Sequence, residues 1–373
     1  MKIVLTGGGT AGHVTPNIAL LPALEKRGYE IHYIGSHTGI ERGLITQLGV
    51  KYHSISCGKL RRYFDLKNIT DLFRIVKGLG DSLIILRKIR PDIVFSKGGF
   101  VVVPVAVAAH ILGIPIVIHE SDITPGLANR LIMPFAKSVC TSFPETSKLV
   151  PKNKGVLTGS PIRPALLEGN RREGMKICNF IGLPARPIIL ITGGSLGSAA
   201  INRNIFALLP RLLAKFHVIH LCGKGNVKEN VKENLKENLK GHLNEYLQAG
   251  YAPFEYAGEE MPHLLAAADM VISRAGASTL FELIVLGKPN LLIPLTKTAS
   301  RGDQILNAAS FERQGYSKVL PEEDITEDIL YNAILELYTN REEYIKQIKA
   351  GEGQNGVKLV MAEIERWTSH EHN

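Results

Sequence analysis

Three stretches of this chain group glycines, hydroxyls and a few titratable side chains at spacings suited to chemistry on an anion. The first is Gly7-Gly8-Gly9-Thr10-Ala11-Gly12-His13. Glycines at the mouth of a helix can turn their backbone N–H groups onto a phosphate, helped by the positive end of the helix dipole. The same dipole disfavours imidazolium, so a histidine here is expected to stay neutral and able to accept a proton. His13 is therefore a general-base candidate, with helix capping or packing as the competing role. The second stretch, Gly193-Gly194-Ser195-Leu196-Gly197-Ser198, offers N–H groups and two hydroxyls, which suits a diphosphate that must depart as an anion. The third runs from Asp269 to Pro289 and holds Arg274, Gly276, Ala277, Ser278, Thr279 and Glu282. Glu282 falls less than two turns into the predicted helix, where a carboxylate can accept both hydroxyls of a ribose while the helix start faces phosphate. Arg301, Asp303 and Gln304 follow the next strand and suit sugar hydroxyls.

Alternating strands and helices must position these groups. Strands are predicted at 2–6, 30–35, 51–56, 92–96, 115–118, 138–141 and 156–158, then at 188–192, 217–221, 254–257, 269–273, 290–294 and 316–319. Helical patterns separate most of them, which implies parallel sheets covered on both faces, with ligands beyond the C-terminal strand ends. Those ends carry Gly7–His13, Ser96–Gly99, His119–Asp122 and Thr141–Ser142 in the first half. A chain of 373 residues predicts two domains. Gly159-Ser-Pro-Ile-Arg163 reads as the hinge, giving 1–163 and 164–340, with a last helical stretch over 341–373, broken near Gly351–Gly356, returning to the first domain.

Composition narrows the classes. Gly7, Gly9 and Gly12 fit a dinucleotide fingerprint, but the second strand ends in Ile34-Gly35-Ser36 with no acid to hold a ribose, which disfavours a dehydrogenase. No Walker pattern is present. Cys57, Cys140, Cys178 and Cys222 lie far apart, against a zinc site or a disulfide framework. Met1 leading straight into a strand leaves no room for a signal peptide, and no apolar run reaches the ~18 residues of a membrane span. Residues 1–163 hold 21 basic and 10 acidic side chains, so the first half is strongly cationic and calls for an anionic partner. Within it, Lys59-Leu-Arg-Arg-Tyr-Phe64 precedes a helix over 66–90 that mixes Leu66, Ile69, Leu72, Phe73, Val76 and Leu79 with Lys67, Arg74, Lys77, Arg87 and Lys88. That combination can lie on an anionic membrane surface, or be an ordinary amphipathic helix. A nucleic-acid partner would explain the charge but neither the glycines nor Glu282. The four-residue repeat at Val227–Lys240 reads as a solvated helix.

In order and at these spacings, Gly8–His13, Lys97-Gly98-Gly99-Phe100, His119-Glu120, Gly159–Arg163, Gly193–Gly197, Arg274–Glu282 and Asp303-Gln304 resemble the family 28 glycosyltransferases of the MurG type, across essentially the whole chain. The resemblance implies a GT-B fold, two Rossmann-like α/β domains facing a cleft. It implies an inverting transfer of GlcNAc from UDP-GlcNAc to the muramoyl 4-hydroxyl of an undecaprenyl-diphosphate-linked acceptor (lipid I to lipid II). The enzyme would be peripheral on the cytoplasmic face of a bacterial membrane, with no cofactor and no nucleic acid. His13 is then the favoured base, with Thr10, Ala11, Gly12, Arg163, Ser195, Gly258, Arg274, Ala277, Ser278, Thr279, Glu282 and Gln304 around the donor. Lys97, Gly98, Gly99 and Asn129 would lie by the acceptor diphosphate. The chain departs from the family at His119-Glu120-Ser121-Asp122, where His-Glu-Gln-Asn is usual. Asp accepts but does not donate, so Asp122 becomes a second base candidate, with Glu120 beside it as a further catalytic candidate. As a metal site the two carboxylates are too few, and no metal is expected. The rivals are a diacylglycerol glycosyltransferase, a UDP-GlcNAc 2-epimerase, and a non-catalytic sugar-nucleotide-binding subunit at a membrane.

Overall fold

The computed structural model describes residues 1–58, 67–194, 196–226, 243–300, 302–351 and 355–368, with the side chains of 67–72 and 243 excluded. The basic run at 59–64, the 227–240 repeat, Ser195 and Arg301 lie outside the described residues.

The chain forms two units, Met1–Arg163 with Gln354–Asn373, and Pro164–Gly353. The first is built on β1 (Lys2–Thr6), β2 (Glu30–Ser36), β3 (Lys51–Ile55), β4 (Ile93–Ser96), β5 (Ile116–Glu120), β6 (Ser138–Thr141) and β7 (Gly155–Leu157). Between them run α1 (Ala11–Lys26), α2 (Ile40–Thr46), α3 (Lys67–Ile89), α4 (Val102–Ile111) and α5 (Leu127–Ile132). The second unit has β8 (Ile188–Thr192), β9 (His217–Leu221), β10 (Tyr251–Phe254), β11 (Met270–Ser273), β12 (Asn290–Leu292) and β13 (Lys318–Val319). Its helices are α6 (Arg171–Ile177), α7 (Ala199–Leu213), α8 (Leu243–Ala249), α9 (Met261–Ala267), α10 (Ala277–Val285), α11 (Asp303–Arg313), α12 (Glu327–Thr339) and α13 (Arg341–Ala350). The last helix, α14 (Val357–Thr368), belongs to the first unit.

Both sheets are parallel, in the orders β3-β2-β1-β4-β5-β6-β7 and β10-β9-β8-β11-β12-β13. Each order reverses between its first strand and the one three places later in the chain, and such a switch point opens a crevice at the C-terminal strand ends. Register puts paired loops level with each other there. Thr6 pairs with Ser96, so Gly7 and Lys97 leave the first sheet side by side. Thr192 pairs with Ser273, so Gly193 and Arg274 leave the second in the same way.

Strand alternation feeds two cores in the first unit. Ile3 and Leu5 face Leu20 and Leu24 of α1 and Val360, Met361 and Ile364 of α14, all buried. Val4 and Val94 face the other way, against Leu86 of α3 and Val105 of α4. Both faces are covered, which is why these strands read as unbroken apolar runs. The helical tail predicted over 341–373 is divided. The α13 segment stays in the second unit, where Tyr344 packs on that unit's core. Only α14 returns. Ser138 Oγ donates to Glu363 Oε2 at 2.7 Å and accepts from Trp367 Nε1 at 2.7 Å, and an Arg27–Glu365 ion pair closes the seam.

On α3 the apolar residues split. Leu86 and Ile89 are buried, while Phe73, Val76 and Ile84 are 73%, 62% and 69% exposed, with Arg74, Lys77, Arg87 and Lys88 exposed beside them. Among the described residues no helix is long and apolar enough to cross a membrane.

Candidate active site

At the first switch point the two loops are interlocked. Gly8 N–H donates to the Gly98 carbonyl at 3.3 Å. A Cβ on Gly99 would lie 2.1 Å from the Gly8 carbonyl oxygen, and one on Gly9 would lie 2.8 Å from the Phe100 ring. Gly9, Gly98 and Gly99 have φ of +88°, +99° and +89°, so glycine is needed for conformation as well as clearance. Below the turn, Tyr33 Oη donates to the Gly7 carbonyl at 2.7 Å, and Asn17 Nδ2 donates to Tyr33 Oη at 3.2 Å and to the Thr6 carbonyl at 3.3 Å. From above, the buried Glu41 carboxylate accepts from Gly9 N at 3.2 Å, Ser36 N at 3.0 Å and Ser36 Oγ at 2.5 Å.

This frame aims His13. The helix α1 begins at Ala11 with Thr10 at its N-cap, and His13 sits half-buried in the first turn. Its Nδ1 lies 3.1 Å from the Gly8 carbonyl and 3.1 Å from Thr10 Oγ1. A carbonyl only accepts, so Nδ1 carries the proton and the basic lone pair is on Nε2. Thr10 and Gly12 are exposed on the same turn and Ala11 is half-buried, which leaves early helix N–H groups facing outward.

The loop after β5 is built differently from its sequence reading. Glu120 is buried, and its carboxylate accepts from Asp122 N at 3.1 Å, Gly126 N at 2.9 Å and Asn129 Nδ2 at 2.9 Å. Burial raises its pKa, opposed by the Lys97 charge and the Asn129 bond. With three donors on it, Glu120 organises the loop. Asn129 is likewise buried; its Nδ2 also donates to the His119 carbonyl at 3.3 Å, and its amide packs under Gly98. It supports the loop of Gly98 from below. Lys97 is buried, and its ammonium donates to Ser121 Oγ. Burial lowers its pKa to about 8, while Glu120 and Asp122 pull it back up. Burial and that ammonium hold His119 well below the usual imidazole range, so its Nε2–H donates to the Gly159 carbonyl at 2.9 Å. Asp122 is half-buried on the same loop. β5 lies beyond β4 from β1, so this loop opens two strand spacings, roughly 10 Å, from the loop of His13.

At the second switch point, Ser198 caps α7, accepting from Ile201 N at 3.3 Å, and Gly194 and Gly197 take φ of +93° and +77°. Arg274 follows the end of β11. It is buried; its Nη2 donates to Ser198 Oγ at 2.6 Å, its Nη1 donates to the carbonyls of Ile293 and Pro294 at 3.1 and 3.3 Å, and it pairs with Glu322. Its guanidinium ties the start of α7 to the segments that follow β12 and β13 and so shapes the anion loop. The helix α10 starts at Ala277 on the Gly276 N-cap, with Ala277 buried and Ser278, Thr279 and Glu282 half-buried along its first turns. Gln304, at the start of α11, accepts from Leu295 N through Oε1 at 3.1 Å, so its Nε2 donors are the part left to read a hydroxyl. Gly258 is exposed, and its N–H donates to Glu260 Oε2 at 3.0 Å. Arg163 closes the first unit, where Asn355 braces the neighbouring backbone through paired 2.9 Å bonds to Ile162 N and O.

Known proteins match both halves. The profile of the Glycosyltransferase family 28 N-terminal domain covers residues 3–141, and that of its C-terminal domain covers 188–364. A UDP-N-acetylglucosamine–N-acetylmuramyl-(pentapeptide) pyrophosphoryl-undecaprenol N-acetylglucosamine transferase of Clostridium tetani is 52% identical over 366 residues, 98% of each chain. The chain belongs to glycosyltransferase family 28. A crystal structure of Acinetobacter baumannii MurG superposes with a TM-score of 0.72 at 25% identity, over 98% of this chain and 99% of that one. The UDP-GlcNAc 2-epimerase of Neisseria meningitidis, at 16% identity and a TM-score of 0.67 over 98% and 100%, shares the fold.

For this family 28 glycosyltransferase, residue patterns alone miss Asn17, Tyr33, Glu41 and Ser121. Tyr33 and Asn17 look like core positions on a strand and a helix, and nothing local marks the turn beneath which they meet. Glu41 is the acid that the dinucleotide argument seeks, five residues past the end of β2, but its carboxylate is spent on the loop backbone.

Proposed function

We propose that this enzyme transfers GlcNAc from UDP-GlcNAc to the 4-hydroxyl of the muramoyl residue in an undecaprenyl-diphosphate-linked acceptor, inverting the anomeric carbon in peptidoglycan synthesis. The observation that carries the reading is His13. In a chain 52% identical to a transferase of that name, it stands at the switch point with Nδ1 held on a carbonyl and its basic nitrogen on the other side of the ring.

The donor binds the second unit. Backbone near Gly258 meets the uracil, Glu282 accepts the ribose hydroxyls, and Gln304 reads the sugar. The N–H groups of Ala277, Ser278 and Thr279, with Ser195, meet the diphosphate. Arg163 and the Thr10–Gly12 turn complete the donor contacts. The acceptor diphosphate lies along Lys97, Gly98 and Gly99. His13 Nε2 takes the proton of the 4-hydroxyl as its oxygen attacks the anomeric carbon, and UDP departs toward helix-terminal N–H groups already aimed at the charge it gains. Asp122, on the loop after β5, is the second candidate for that proton. No metal or cofactor enters the scheme, and no nucleic acid is a partner.

Membrane attachment is peripheral, on the cytoplasmic face. Phe73, Val76 and Ile84 project beside Lys77, Arg87 and Lys88, an apolar face flanked by cations that suits an anionic lipid surface. The deciding experiment offers labelled UDP-GlcNAc with a lipid I analogue and, separately, with diacylglycerol. Label should enter the lipid I analogue alone. Entry into diacylglycerol, or donor binding without turnover of either acceptor, would overturn the assignment.

A further inference from the structure

The first unit contains a cavity that the catalytic scheme does not use. It encloses about 640 Å³ at the C-terminal ends of β2 and β3, walled by His37, Thr38, Cys57, Arg74 and Phe100 and reaching Gly9. We propose that this cavity receives the peptide carried by the acceptor's muramoyl residue, with Arg74 as the counter-ion of a peptide carboxylate. The inference rests on the acceptor assigned above and adds where the peptide goes.

Three observations lead there. The first is connectivity. A muramoyl residue carries its peptide through the lactyl ether at C3, the carbon next to the reacting C4 hydroxyl, so the peptide must leave the sugar within a few bonds of His13. Gly9 and Phe100 belong to the two loops that frame His13, and both line the cavity. The second is chemistry. The walls combine a guanidinium, hydroxyl and imidazole side chains and loop backbone, which suits a polar chain ending in a carboxylate; Arg74 brings the planar donor pair that matches it. Two acids border that wall and both hold loop backbone: Glu41 accepts from Gly9 N, Ser36 N and Ser36 Oγ, and Asp81 Oδ2 accepts from Ser56 N at 3.0 Å. The third is direction. The cavity lies on the β2–β3 side of the glycine turn, while Lys97–Gly99 lies on the β4 side. Peptide and diphosphate would therefore run to opposite sides of the sugar, and the volume falls in the range that holds small ligands.

The test uses two soluble short-prenyl acceptors, one bearing the pentapeptide and one ending at the lactyl carboxylate, so that membrane binding plays no part. Each is assayed with wild type, Arg74→Gln and Thr38→Trp, the last filling the cavity without touching the charge. Folding is checked by circular dichroism and by donor affinity. The wild type should prefer the peptide-bearing acceptor. Each variant should raise KM for that acceptor about tenfold, the worth of one charge-assisted hydrogen bond, and bring the kcat/KM ratio of the two acceptors toward one. Equal changes for both acceptors, or an unchanged KM for the peptide-bearing one in both variants, would overturn the proposal while leaving the transferase assignment intact. Turnover of neither acceptor by wild type would overturn the assignment itself, and this inference with it.

Discussion

Replacing Gly99 by alanine tests whether the interlocked loops set the catalytic base. The new Cβ would stand 2.1 Å from the Gly8 carbonyl oxygen and 3.0 Å from its carbon. Real contacts of this kind do not fall below about 3 Å, so Gly8 or Gly99 must move by about 1 Å, and a residue with a Cβ at a φ of +89° adds about 1–3 kcal/mol of strain. The carbonyl that must move is the one holding His13 Nδ1 at 3.1 Å. Displacement by 1 Å at a reacting group costs about a hundredfold in rate. Steady-state kinetics with saturating donor should therefore show kcat down about a hundredfold, with donor affinity by calorimetry within about twofold and a melting temperature only a few degrees lower. Gly43→Ala is the matched control, since a Cβ there meets nothing within 4 Å in the middle of α2; it should keep full activity and gain a few tenths of a kcal/mol or more. A Gly99→Ala enzyme with near-normal kcat, or one that loses activity only in step with folding, would refute the argument that these loops are one unit.

His13→Ala should lower kcat by about 10²–10⁴-fold with donor affinity kept; donor binding lost in step with activity would make His13 a contact for UDP instead of a base. Lys97 should leave a pH signature in stability. Its folded pKa of about 8 lies below its ordinary value, so folding disfavours its charged form at neutral pH, and that penalty is relieved as pH rises from about 8 through 10.5. Denaturant melts should show wild type gaining stability over Lys97→Met across that window, and a constant difference would remove the buried-ammonium account. Ile364→Ala on α14 should cost the first unit about 2–5 kcal/mol, lowering one calorimetric transition and leaving the transition of the second unit in place. Phe73→Ser with Val76→Ser should weaken cosedimentation with anionic vesicles, and wild-type binding should fall as salt rises.

Much of the architecture was legible because strand and helix periods differ and because glycines mark the loops where strands end. The places that were not legible have physical causes. The strand expected at 254–257 begins earlier: β10 runs from Tyr251 to Phe254, through Pro253. β10 is an edge strand, where proline's missing donor costs no ladder bond. Arg274 sits where an anion ligand would, but sequence spacing cannot show that the carbonyls of Ile293 and Pro294 converge on it. Glu120 reads as a reactive carboxylate until the N–H groups of Asp122 and Gly126 and the amide of Asn129 are seen filling its oxygens. The carbonyls on Arg274 come from the next strand's end, whereas the partners of Glu120 are near in sequence and are brought onto it only by the path of the loop. His13 was legible because its partners, Gly8 and Thr10, are its neighbours in sequence.

The return of α14 has a consequence for how the protein is made. Val360, Met361 and Ile364 fill a core begun by Ile3 and Leu5, so the half translated first cannot close until α14 has left the ribosome. The whole second unit is synthesised in between and can fold meanwhile. Through that interval the α1 side of the first sheet, with Leu20 and Leu24, waits without its cover. Ribosome-stalled chains halted before Val357 emerges should therefore carry a folded second unit beside a protease-sensitive first one, and the glycine loops that hold His13 would become rigid only once α14 is out.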